Sequence, residues 1–179
     1  MKNLLYFLLL IPCSLLAQTT QYGSFKILET ELIYQKVFNQ DSITADKLVE
    51  FLKTVPSIAN IQLGGDGAVT ADLVYLTVDY KKYKFAQVAV PPIIQTGKFN
   101  GKLSFEVKPG KYRVSLRGIQ MKGDMGYKKI AEPESMTSYA CTDSGTAISK
   151  DWTKPNTLGL LEMAITDRLK YKDTNSDWK

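Results

Sequence analysis

The sequence predicts an α+β domain: one antiparallel sheet of about five strands, with two helices packed on a single face. Three observations predict it. Two segments carry apolar residues at helical spacing, one near each end of the chain. Between them lie segments of two-residue alternation joined by Gly- and Pro-containing turns. The order strand, helix, about four strands, helix lacks the regular βαβ alternation of a parallel sheet.

The elements follow in chain order. Residues 1–17, "MKNLLYFLLLIPCSLLA", have the form of a secretory leader: Lys2 is the positive start, Leu4 to Ile11 the apolar run, and Leu15-Leu16-Ala17 the small-residue exit. The apolar run is well short of the ~20 residues that span a bilayer, and no later segment is apolar enough to do so. A lipid anchor on Cys13 is the rival reading, disfavoured because Pro12 precedes the cysteine. The expected location is therefore outside the cytoplasm: periplasm, outer envelope or extracellular space. Residues 18–30 are polar and read as an extended or frayed N-terminal extension, and 31–172 as the single domain.

"LIYQKVF" from Leu32 is a strand. In "SITADKLVEFLKTVPS", Thr44 is placed to cap a helix, and Asp46 lies in its first turn. Ile43 and Leu48 form a hydrophobic staple, and Leu48, Phe51, Leu52 and Val55 make an apolar stripe that ends before Pro56. "IANIQLGGDGAVTADLVYL" is strand, turn, strand; its adjacent apolar residues Leu73 to Leu76 imply burial on both faces or a bulge. "AVPPIIQTGKFNGK" reads as a connection.

In "LSFEVKPGKYRVSLRGIQM", Leu103, Phe105 and Val107 alternate with polar neighbours, as do Tyr112, Val114 and Leu116. Pro109-Gly110 suits a type II turn, and the poor match of that turn to strand twist predicts a loop longer than two residues. The apolar phase changes at Gly118, where a bulge is expected. Residues 122–150 show no periodicity and read as a long loop. Leu158, Leu161, Ile165 and Leu169 form the second helical stripe, with Asn156 or Thr157 as its cap, and 173–179 form a tail.

"LIYQKVFNQDSITADKLVEFLK", the central strands ending in "VKPGKYRVSLRGIQM", and the late helix together resemble a family of exported Bacteroidota proteins. That family is known only as a domain of unknown function with a TATA-box-binding-protein-like (TBP-like) fold, ordered β-α-β-β-β-β-α. The resemblance spans roughly Leu32 to Lys170. It implies that fold and a place in the cell envelope, and it implies no activity and no DNA binding.

Several chemistries are closed by composition. The chain has no histidine and two cysteines, one of them in the leader, which removes His/Cys zinc sites, the serine–histidine machinery and an internal disulfide. Cys141 has no histidine to deprotonate it. "GGDGAV" lacks the Lys-Ser/Thr of a phosphate loop, and Asp66 and Asp72 lack EF-hand spacing. No cofactor and no catalytic residue is expected. The alternatives are an enzyme using carboxylates such as Glu132 and Glu134, or Tyr, with 122–150 as its lid, and a structural protein that self-assembles through a sheet edge or Cys141.

Charge is the informative signal. Residues 81–129 hold twelve Lys or Arg against Glu106 and Asp124, an excess of ten, while the flanking mature segments are net acidic. Lys102, Lys108, Lys111, Arg113 and Arg117 share the polar parity of the hairpin, so they project from the face opposite the helices. Two readings follow: a surface for an anionic lipid headgroup, acidic glycan or acidic protein, with nucleic acid not expected in an exported protein, or lysines that keep an open sheet soluble. The expected function is a non-catalytic envelope domain. Oligomeric state is left open.

Overall fold

The computed structural model describes residues 19–65, 67–142 and 145–172. The expected leader with Cys13, Asp66 and the expected tail lie outside the described residues. The strands are β1 (Gln21–Tyr22), β2 (Phe25–Leu28), β3 (Glu31–Asn39), β4 (Ile58–Leu63), β5 (Val69–Leu76), β6 (Lys98–Lys108), β7 (Lys111–Asp124) and β8 (Lys129–Ser135). They form one antiparallel sheet in the order β1-β2-β3-β7-β6-β5-β4, with β8 pairing the far end of β7. A small hairpin, β9 (Cys141–Thr142) and β10 (Ala147–Ile148), lies apart. The helices are α1 (Ala45–Thr54), α2 (Pro92–Thr96), α3 (Thr137–Ala140) and α4 (Leu160–Leu169). None is long and apolar enough to cross a membrane.

The two-residue rhythm decides the layers. Tyr112, Val114 and Leu116 are buried, as are Leu32, Tyr34 and Phe38 on β3, and all of these except Leu32 pair across the β3–β7 ladder. This face carries α1 and α4. Leu48, Phe51 and Leu52 of α1 and Leu161, Ile165 and Leu169 of α4 enter the same apolar cluster. The Tyr34 hydroxyl bonds Thr166 of α4 at 3.1 Å, and the Tyr112 hydroxyl donates to the Leu169 carbonyl at 2.7 Å. Thr44 caps α1 by accepting from the Lys47 N–H, at the position the sequence indicates.

Four expectations are corrected. Among the described residues the sheet has eight strands, not about five. Residues 21–28 are not a frayed extension: Gly23 at φ 56° closes a tight turn, and Phe25 is fully buried against Tyr34. The 122–150 segment is not one long loop, because β7 runs on to Asp124 and β8 pairs back onto it. Its remainder folds as α3 and the β9–β10 hairpin, with Met136, Ala140 and Ile148 buried. Within the Pro-rich connection, α2 starts on Pro92 and sinks Ile93 and Ile94 into the core.

Two turns also differ in detail. Lys108 pairs with Lys111, so Pro109-Gly110 is a two-residue connection after all, with Gly110 supplying φ 77°. The start of α4 has no side-chain cap: a π turn over Pro155–Gly159 leads in, Asn156 donates instead to the Ala89 carbonyl, and Thr157 bonds the Asp151 carbonyl. The expected bulge at Gly118 is present. Asn100 faces Gln120 and Lys102 faces Arg117, so Gly118 and Ile119 oppose Gly101 alone.

Candidate functional site

The face of the sheet away from the helices has no second layer among the described residues, and it carries all five sequence-predicted residues. Register sorts them. Lys102 reaches Asp72 of β5 at 2.8 Å, and Asn60 of β4 donates to the same carboxylate. These bonds, the Asn60 amide first and Lys102 second, hold Asp72 below the usual carboxylate range. Arg113 takes both oxygens of its cross-strand partner Glu106 at 2.5 Å. Arg117 is gripped by Glu31 at 2.9 Å and Glu29 at 3.2 Å, and its hydrogen bonds to the Glu31 carboxylate lead in raising its already high pKa. Exposed pairs of this kind add little stability, so their main effect is to cancel field.

Lys108 and Lys111 differ. They face each other across the hairpin end with no carboxylate in ion-pair range among the described residues. With Val37, which is 53% exposed, and the Arg113–Glu106 pair they rim a depression of about 170 Å³. An uncharged row crosses the face over five strands, Gln35, Ser115, Ser104, Thr70 and Gln62, and Lys26 of β2 donates to the Gln35 side chain at its end, at 2.6 Å. Beside that row runs a groove of about 510 Å³, lined by Asn60, Gln62, Thr70, Asp72, Lys102 and Ser104.

A second cationic group, absent from the sequence-predicted set, lies at the other end of β6 and β7. Lys98 and Lys122 are cross-strand partners, and their ammonium groups stand 5.5 and 5.3 Å from the centre of the Tyr75 ring. Neither has a carboxylate in ion-pair range among the described residues. The sequence signal was the adjacent apolar run around Tyr75, which resolves as a bulge between Leu73 and Leu76.

The helix side offers a cavity of about 470 Å³ between α1 and α4, lined by Phe51, Val55, Tyr83, Asp167 and Arg168. There Lys82 and Tyr83 both bond Asp167, and Lys82 leads in holding that carboxyl below its usual range. Burial pushes the Tyr83 and Tyr34 hydroxyls up, and Tyr112 to about 12, the opposite of what an activated tyrosine requires. Glu134 is tied to Tyr139 and Lys128, and burial raises the Cys141 thiol. Among the described residues no group of three or more Cys, Asp or Glu is placed to hold a metal ion.

No family model matches the chain. No curated protein matches it. Among solved structures it is similar to a DUF4468 family protein from Bacteroides ovatus, at 12% identity and a TM-score of 0.46, covering 87% of this chain and 96% of that one. It is also similar to a TBP-like protein from Parabacteroides distasonis, at 8% identity and a TM-score of 0.47, covering 81% and 90%. These descriptions use the terms of the resemblance read from the sequence and bear on no activity.

Proposed function

We propose that the protein is an exported, non-catalytic domain of the cell envelope that holds an anionic partner on the open face of its sheet. One observation carries this reading: the helices take one face, and on the open one Lys108 with Lys111 and Lys98 with Lys122 stand, among the described residues, without a carboxylate partner at the two ends of the β6–β7 hairpin. Lys108 and Lys111 lie about 30 Å along the strands from Lys98 and Lys122. Spread in that way, unpaired charge suits an extended polyanion better than a single small ion. Burial masks Tyr34, Tyr83 and Tyr112 as acids, and Asp72, Glu106, Glu134 and Asp167 sit in ion pairs, which favours binding over catalysis.

The test is binding of the purified protein to an immobilised acidic polysaccharide, anionic lipid vesicles and an acidic protein, across a salt series. Binding to one of them should weaken steadily with salt, and Lys108→Glu with Lys111→Glu should weaken it by about tenfold or more. Binding that ignores both salt and charge reversal would sink the proposal.

A further inference from the structure

Tyr75 is an unusual residue to find on an open sheet. It is 52% exposed, and its backbone sits at φ 52°, a conformation that is costly for a bulky aromatic residue. The surrounding structure holds it there. The bulge between Leu73 and Leu76 turns the chain, and the Tyr75 N–H donates to the Asn100 side chain at 2.6 Å. Glycine would accept this backbone without strain, so its tyrosine ring is maintained at a cost to the fold. The ammonium groups of Lys98 and Lys122 stand over the ring, and no carboxylate neutralises them among the described residues.

The geometry points to a subsite for one acidic sugar unit of a polyuronate chain, with Tyr75 as its platform. The C–H face of a pyranose stacks on the part of the ring the ammonium groups leave open, and a uronate carboxylate attached to that pyranose meets the two ammonium groups. Three residues along β5 from Tyr75 lies Asp72, where the hydroxyl- and amide-lined groove begins. Thr70, Ser104, Asn60 and Gln62 there offer neutral partners for sugar hydroxyls.

Other anions fit less well. A single-stranded nucleic acid needs successive aromatic platforms along its track, and Tyr75 is the one exposed aromatic on this face among the described residues. An anionic bilayer calls for apolar residues placed to enter it, and a recessed polar groove does not provide them. The inference deepens the open-face reading and rests on it.

The probe is a short linear galacturonate oligomer, with its methyl ester as the uncharged counterpart, titrated by calorimetry. The parent protein should bind the acid at least about tenfold more tightly than the ester. Tyr75→Phe should bind within about twofold of the parent. Tyr75→Gly should lose at least about tenfold in affinity while its melting temperature holds or rises, because glycine relieves the backbone. Lys98→Gln with Lys122→Gln should lose a similar factor.

Parent-like binding by the Tyr75→Gly protein or by the double glutamine protein overturns the subsite. If only Lys108→Glu with Lys111→Glu weakens the oligomer, the subsite is wrong and the open-face reading stands. If none of these variants weakens it, both fall. Binding of a polynucleotide or anionic vesicles without the oligomer overturns the sugar assignment and leaves the open face in place.

Discussion

Replacing Tyr112 by Phe removes one oxygen and leaves two backbone groups without a partner. The Tyr112 hydroxyl donates to the Leu169 carbonyl at 2.7 Å and accepts from the Tyr171 N–H at 2.7 Å, while its ring stacks on Phe38. Tyr112 is 1% exposed and Leu169 is fully buried, so water does not readily replace the lost bonds. Two hydrogen bonds at about 1 kcal/mol each, plus the desolvation left on the stranded groups, give a loss of about 3 kcal/mol. In a chain of this size that lowers the melting temperature by about 6–12 °C.

The same residue gives the effect a pH signature. Burial outweighs the Tyr171 N–H bond and lifts the folded-state pKa from 10.0 to about 12. A raised pKa means that the folded state favours the protonated phenol. Its stabilising effect is complete below the unfolded value and disappears as pH climbs from there to the folded one. Two units correspond to roughly 2.7 kcal/mol, so the gap between parent and Tyr112→Phe should nearly close by the top of that range. Tyr34 titrates in both proteins, so the difference isolates Tyr112 together with the small coulombic effect that its phenolate has on Tyr34. Urea unfolding at neutral pH and along an alkaline series measures this. A Phe protein within about 0.5 kcal/mol of the parent at neutral pH, or a gap that does not change with pH, would refute the packing that also turns Arg113 outward.

Three further perturbations test other joints. Lys36 is the charged member of the inward row of β3 and bonds Glu162 at 3.3 Å and Thr166 at 3.1 Å. Lys36→Met should cost about 1–2 kcal/mol in chemical denaturation, and less when Glu162→Gln is already present. Gly145 lies at φ 93° with its α-carbon pressed toward the Thr30 carbonyl. Gly145→Ala should lower stability by about 2–4 kcal/mol in the same assay. Asp167 is held below its usual range, first by Lys82, so its stabilising effect is present above the ordinary carboxylate range near pH 4 and is lost as pH falls through its lowered value. Asp167→Asn should therefore melt below the parent at neutral pH and converge with it in acid, as followed by circular dichroism.

Most of the layer structure was legible because burial leaves a period in the sequence. The stripes Leu48-Phe51-Leu52 and Leu161-Ile165-Leu169 are buried as their spacing requires, and the phase change at Gly118 marks a real bulge. What escaped were strands with too few inward positions to show a period. β8, "KIAEPES", buries only Ile130 and carries a proline, which an edge strand tolerates. β1 and β2 are two and four residues long, so Phe25 had no repeat to announce it. The π turn before α4 is set by Asn156 reaching the Ala89 carbonyl, 67 residues away in the chain.

Parity shows which side chains share a face; it does not show who stands beside whom. Of the twelve basic residues counted along residues 81–129, seven lie on the β6–β7 hairpin, which the sheet places between β3 and β5, both strands of the acidic segment before it. Glu31 at the start of β3 and its neighbour Glu29 therefore meet Arg117, 86 and 88 residues further on, and Asp72 of β5 meets Lys102. Neutralisation reaches only as far as those flanking strands supply carboxylates. β5 pairs from Phe105 to Phe99, which leaves Lys108 and Lys98 past its two ends. β3 pairs from Leu116 to Lys111, which leaves Lys122 without it, and it presents Val37 and Asn39 rather than acids to Arg113 and Lys111. The lysines left unpaired are thus an outcome of strand length and register. For that reason the structure divides the basic patch into a cancelled middle and two uncancelled ends, and it is at those ends that an anionic partner has the most to gain.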